Sequence, residues 1–326
     1  MKTLTYREAV REALREEMER DETVFLMGED IGRYGGSGKI TQGLIDEFGC
    51  ERVMDTPLCE TGIVGAALGA SMVGMRPVVE IMYIDFTPVC GDQIINQVAK
   101  AHYMSAGQFK APLVIRAPQN GLASAAMHHS QSIEAIYAHI PGLVVILPST
   151  PYDAKGLMKT SIRSDDPVLF VECRPQYNLK GEIPEEEYLI PIGSADVKRK
   201  GEDVTIVATG RTVELSLKAA EVLAQEGIDV EVVDPRTLKP LDKDTIVESV
   251  KKTGHLIISH DACKTGGIGA EIAAVVAEEA VDYLDGPIMR VCAADTPVPF
   301  SMKLEKEMLP DEKKITDAVR SLLNRE

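Results

Sequence analysis

One ionisable residue, Glu60, stands at the mouth of a small-residue run, DTPLCETGIVGAALGASMVG, over 55–74. Gly62, Gly65, Gly69 and Gly74 are spaced there among Ala, Ile, Val and Leu. Each helical Gly costs about 1 kcal/mol of propensity and lets a backbone or a flat ligand come close. A carboxylate leading into such a segment is short of water, and a dry carboxylate is either paired or chemically used. Glu60 therefore either caps the helix and pairs with a nearby Lys or Arg, or takes part in chemistry.

Other candidates are weaker. The stretch GRYGGSGK (32–39) has the look of a phosphate loop, but Arg33 stands five residues before Gly38 and Ile40 follows Lys39, so the Walker spacing fails. It reads as a mobile loop. A polar, small-residue loop, APQNGLASAAMHHSQS (117–132), carries His128 and His129. His102, His139, His255 and His260 lack such a setting and read as core or surface residues, with His260 after a strand end where it could line a subunit contact. The six cysteines are scattered without a CxxC, as expected of reduced core residues in a cytosol.

Alternating strands and helices must position these residues. Thr5 and Glu8 form a capping-box pair, and Val10, Ala13, Leu14 and Met18 follow at helical spacing. Short apolar strands are expected at 24–27, 78–82, 112–116, 143–147 and 168–171. Helices are expected after Glu60, from Ile94 onward, from Ile133 and at 152–164. Strands apolar on both faces, alternating with helices, indicate a parallel sheet covered on both sides. Composition turns polar and turn-rich after Arg174, which reads as a linker. A second α/β domain follows, with strands at 204–207, 230–233, 256–259 and 288–291 and helices at 213–226, 244–252, 268–279 and 311–325. The expected domains are 1–185 and 186–326.

A chain of 326 residues accommodates two domains. Its net charge of −16 argues against nucleic acid and anionic membranes as partners. No apolar run reaches the length of a membrane span, and the charged start MKTLTYREAVREALREE does not read as a targeting segment. The expected location is cytoplasmic.

Eight stretches occur in one order: LMGEDIG (26–32), DTPLCETGIVGAALG (55–69), DFTPVCGDQIINQVAK (85–100), HHSQ (128–131), PSTPYDAKGL (148–157), DPRTLKPLD (234–242), GIGAEI (267–272) and TPVPF (296–300). In that order they resemble the β subunit of the thiamine-diphosphate-dependent decarboxylating component of 2-oxo acid dehydrogenase complexes. Pyruvate, branched-chain 2-oxo acid and acetoin dehydrogenases share this family, and the linker is most similar to the acetoin branch. The resemblance covers nearly the whole chain. It implies a pyrimidine-binding domain followed by a transketolase C-terminal-like domain. It also implies an α2β2 heterotetramer with an α subunit, and acyl transfer to a lipoyl-bearing acyltransferase.

By the resemblance, Glu60 hydrogen-bonds N1′ of the cofactor's aminopyrimidine and favours the tautomer that deprotonates thiazolium C2. Phe86 matches the aromatic that packs on the pyrimidine, with plain core packing as its alternative. His129 matches the histidine that assists transfer to the lipoyl group, although His128 stands where the family usually has Gln. Leu113, Ser161, Ile162, Ser164 and Asp166 match a K⁺ site built largely of carbonyls. The family's wider group holds Mg²⁺ with a GDG motif; this chain has Gly91-Asp92-Gln93 instead, so Mg²⁺ and the diphosphate are expected on the α subunit. Two alternatives stand beside this reading. One is the C-terminal half of a split transketolase. The other is a non-catalytic binding module such as an electron-transfer subunit, against which the lack of a GxGxxG after a strand counts.

Overall fold

The computed structural model describes residues 1–119, 122 and 124–323. They form two compact units, one of residues 1–119 and 136–192, the other of the described residues of 120–135 with 193–323. The loop carrying the two histidines thus belongs with the second unit.

The first unit opens with β1 (Lys2–Thr5) and α1 (Tyr6–Arg20), and the expected capping box is present at Thr5 and Glu8. Then come β2 (Val24–Gly28), α2 (Leu44–Phe48), β3 (Val53–Asp55), α3 (Glu60–Met72) and β4 (Arg76–Glu80). From Ile84 to Met104 the chain is helical but irregular. A 3₁₀ stretch (Ile84–Cys90) containing Pro88 leads to a π turn (Gln93–Gln97), another 3₁₀ turn (Val98–Lys100) and α4 (Ala101–Met104). Pro88 has no N–H to donate, which breaks the regular ladder that apolar spacing alone suggests. β5 (Val114–Gln119), α5 (Glu134–Ala138), β6 (Val144–Ile146), α6 (Pro151–Arg163), β7 (Val168–Cys173) and β8 (Lys180–Ile183) follow. The strands β6-β7-β5-β4-β2-β3 lie side by side, all parallel. β8 lies in the expected linker and pairs antiparallel with β1.

Three of these buried strands carry a charged residue in or near their second half. Glu80 on β4 is level with Arg116 on β5, and Glu172 lies two residues beyond Arg116's partner Phe170 on β7. The Arg116 side chain is 2% exposed and that of Glu172 0%. Arg116 donates from Nε to Glu172 Oε1 at 2.6 Å and from Nη1 to Glu80 Oε2 at 2.7 Å. Tyr177 donates to Glu172 Oε2 at 2.6 Å. Burial disfavours the guanidinium charge, but the Glu172 and Glu80 carboxylates override it and hold Arg116 protonated. Glu80 Oε1 accepts the Ser37 N–H at 3.0 Å, and Arg11 donates from Nε to Ile40 O at 2.9 Å. The 32–39 loop is thereby fastened to the sheet and to α1. A Cβ on Gly36, whose φ is +76°, would lie 2.7 Å from Glu80 Oε1.

The second unit contains β9 (Asp196–Arg199), β10 (Val204–Ala208), α7 (Arg211–Ala224), β11 (Val230–Asp234), the short β12 (Thr237–Lys239) and α8 (Lys243–Thr253). It continues with β13 (Leu256–Cys263), α9 (Ile268–Glu279), β14 (Met289–Ala293), α10 (Met302–Met308) and α11 (Glu312–Leu322). The last residues of the helix expected over 311–325 lie outside the described residues. Its sheet runs β14-β13-β10-β11-β9, with only β9 antiparallel. His260 lies inside β13, fully buried, so it is a core residue and lines no surface. Its Nδ1 is 3.1 Å from Ala262 O and its Nε2 3.3 Å from Cys292 Sγ. A carbonyl only accepts, so Nδ1 carries the proton and Nε2 accepts from the thiol. A Cβ on Gly269 would meet Nε2 at 2.7 Å, which explains a glycine there.

Two measurements check this packing. Arg116→Met leaves two buried carboxylates without their cation and should cost about 3–5 kcal/mol in urea denaturation; an unchanged midpoint would contradict the network. Burial pushes the His260 pKa down from 6.5 to about 4. The unfolded chain then binds the extra proton between those values, so His260 adds stability above pH 6.5 that is lost as pH falls through that window. The total is about 3 kcal/mol. A His260→Gln variant should show a correspondingly flatter stability–pH curve over pH 4–6.5.

Candidate active site

Three of the parallel strands of the first unit, β2, β3 and β4, end level with one another. Gly28 of β2 is registered with both Asp55 of β3 and Glu80 of β4. The turns leaving this carboxyl edge are where ligands bind in open parallel sheets. Glu29 follows β2 there. Glu60 follows β3 after a short turn and is the first residue of α3. The helix end has no side-chain cap, and among the described residues Glu60 makes no salt bridge. Pairing with a Lys or Arg is therefore not realised within this chain.

Glu60 is half-buried among acidic and apolar neighbours. Glu29 is 6% exposed, and its pKa is raised first by burial and next by the charge of Glu60. Burial, with Glu60's charge also acting, pushes the Cys90 thiol up to about 12. A carboxylate short of water and of cations favours a partner that brings a proton. Phe86 is half-buried in the irregular helical segment, its ring edge-on to Tyr83 with centroids 5.7 Å apart. Thr61 donates to Val89 O at 3.1 Å and ties α3 to that segment.

On α3, Ile63, Val64 and Ala67 are buried, whereas Gly62, Gly65, Ala66 and Gly69 are exposed. A Cβ on Gly69 would meet nothing within 4 Å, and one on Gly65 only Gln93 Cγ at 4.0 Å. This chain does not itself use the close approach that the glycines permit.

In the second unit, His128 is exposed and His129 half-buried. Their loop is strained: Leu122, Ser124 and Ala126 all have φ between +41° and +60°, each at a cost of order 1–3 kcal/mol. Glu305 supports it by accepting the Ser124 N–H at 3.2 Å.

In the set expected to hold K⁺, Arg76 Nη1 donates to Ile162 O at 3.0 Å and to Ser164 O at 2.7 Å. Leu113 O accepts the Val168 N–H, Ser161 O accepts the Ser164 N–H, and the Asp166 N–H reaches Ser164 Oγ. Among the described residues, only the Ile162 and Ser164 carbonyls of this set meet a cation, and it is the Arg76 guanidinium. Sequence reasoning missed the Glu80–Arg116–Glu172 network, Glu29 and Glu305. The first had a signal, since VVE, VIR and FVE each put a charge directly after two apolar residues of a strand.

Residues 2–180 match the transketolase pyrimidine-binding domain and residues 193–315 the transketolase C-terminal domain. The chain is 47% identical over 324 residues to "2-oxoisovalerate dehydrogenase subunit beta" of Bacillus subtilis (strain 168), covering 99% of each. It is 48% identical over 319 residues to "Pyruvate dehydrogenase E1 component subunit beta" of Rickettsia felis, covering 98% of each. With "Acetoin:2,6-dichlorophenolindophenol oxidoreductase subunit beta" of Bacillus subtilis it shares 44% over 334 residues, covering 99% of this chain and 98% of the relative. A solved "Split gene transketolase, inactive beta4 tetramer" superposes with a TM-score of 0.81 at 24% identity over 98% of each chain, a likeness of fold alone. On these matches, made along nearly its full length, the chain belongs to the transketolase-like family of β subunits of thiamine-diphosphate-dependent 2-oxo acid and acetoin dehydrogenases.

Proposed function

We propose that this chain is the β half of a thiamine-diphosphate-dependent 2-oxo acid or acetoin dehydrogenase, working in the cytosol with an α subunit as an α2β2 heterotetramer. The reaction is oxidative decarboxylation, or acetoin cleavage, followed by acyl transfer to lipoamide on a partner acyltransferase. The observation that carries the reading is Glu60: a half-buried carboxylate at the carboxyl edge of a parallel sheet, without a salt bridge among the described residues, at the head of a glycine-striped helix. The uncrowded stripe suits a surface that another chain covers closely. The split-transketolase reading has only the fold likeness to support it, whereas relatives 44–48% identical are dehydrogenase β subunits.

Glu60 fits an aminopyrimidine because its half-buried carboxyl makes no salt bridge among the described residues and can accept a hydrogen bond from a ring nitrogen. Phe86 would give the pyrimidine a flat apolar contact. Thiamine diphosphate, when bound, supplies the electron sink for breaking the bond beside the substrate carbonyl. His129, half-buried in the strained loop, is in this reading the donor to developing negative charge during acyl transfer. Mg²⁺ and the diphosphate belong, in this reading, to the α subunit.

Calorimetric titration of thiamine diphosphate with Mg²⁺ tests the division of the site. Binding should require the mixture of both chains. Tight binding by this chain alone would overturn the split site. In the assembled enzyme, Glu60→Gln should lower kcat by about 10²–10⁴-fold; full activity would make the chain a non-catalytic module.

K⁺ at the carbonyls of Leu113, Ser161 and Ile162 is a separate proposal. Melting in K⁺ rather than Na⁺ should raise Tm. Equal melting would leave those carbonyls to Arg76 and the backbone alone.

A further inference from the structure

A cavity of about 480 Å³ lies wholly within the second unit, between the histidine loop, the end of β13, the 295–298 turn and α10. Its walls include Met127, Ile133, Val298, Met308 and Leu309. Three carboxylates also line it, and no Lys, Arg or His does among the described residues. Two of the three are accounted for. Asp261 pairs with Arg211, and Asp295 accepts from the Thr265 N–H at 3.0 Å and its hydroxyl at 2.6 Å.

Glu305 is different. It is 0% exposed, and only Oε2 is used, by the Ser124 N–H. Oε1 is buried with no hydrogen-bond partner among the described residues. Ser130, 5% exposed and also lining the cavity, has a buried Oγ in the same condition. Buried polar atoms are almost always satisfied, and a buried carboxylate oxygen is among the costliest to leave alone. Two such atoms on residues that line one cavity call for a guest with a donor at its tip.

We propose that this cavity is a receptor for an organic cation, an ammonium or guanidinium carried on an apolar stem. The charged head would meet Glu305 Oε1 and Ser130 Oγ, and the stem would lie along the two methionines, whose unbranched side chains adapt to flexible guests. A neutral alcohol would satisfy one atom and leave the carboxylate's charge unanswered. The same chemistry has two sources, a small free amine or a Lys or Arg side chain of a partner protein. The site is independent of the thiamine reading and would stand if that reading failed.

Calorimetry on the full-length chain, with n-butylammonium and n-butylguanidinium as probes and n-butanol as control, tests the proposal. Selective methionine-methyl labelling should show shifts at Met127 and Met308. At least one cation should bind about tenfold or more tighter than butanol. Glu305→Gln keeps an acceptor for Ser124 and removes the charge; it should weaken cation binding by a similar factor. Ser130→Ala provides a second variant and should weaken it less. Repeating the titration after assembly with the α subunit separates the sources: blocked binding identifies a partner side chain, retained binding a free amine. No binding at millimolar probe, equal binding of butanol, or unchanged affinity in Glu305→Gln would overturn the proposal.

Discussion

The first unit depends on one buried charge, the guanidinium of Arg116. It joins three neighbouring strands through Glu80, the last residue of β4, and Glu172, next to last in β7. Two buried carboxylates facing one fork accept a single alignment. Gly28, Asp55 and Glu80 end β2, β3 and β4 at one level, and Glu29 and Glu60 stand in the turns that follow β2 and β3. Through Glu80 the same network reaches the Ser37 N–H, so a loop rich in glycine is held without a ligand.

The second unit is organised differently. Its buried histidine is neutral, satisfied on both nitrogens, and packed against a glycine that leaves room for the ring. Among the described residues, Glu305 Oε1 and Ser130 Oγ have no hydrogen-bond partner, and both residues line one cavity. The strain of the neighbouring loop, with non-glycine residues in left-handed conformations, lies beside the same cavity. Unsatisfied polarity and backbone strain found together mark a region shaped for something other than stability.

Much of the fold was legible because it is written in local signals. The capping box at Thr5 and Glu8, the apolar strands and helices such as Ile268–Glu279 follow from periodicity and caps. The pairing of Lys2–Thr5 with Lys180–Ile183 was not legible, since nothing local in a polar linker announces a strand partner so far back in the chain. Apolar spacing points to a helix from Ile94 onward but not to the 3₁₀ stretch around Pro88 or the π turn at Gln93, because it does not report pitch. Of the site, Glu60 was visible as an acid before a glycine run. Glu29 was not, because its surroundings are set by the level of strand ends, and Glu305 had no signal in a charged, exposed-looking helix.

The uncovered stripe on α3 has a consequence for how such a subunit is made. A lone copy shows water a small-residue helix face, at Gly65, Ala66 and Gly69, that the described residues of this chain leave uncrowded. Surplus copies would carry that face for their whole lifetime, open to self-association and to the cell's quality control. Matched synthesis of the two chains is therefore a condition of solubility as well as of turnover. The spacing of a few glycines ties the expression ratio of two genes to the geometry of one helix.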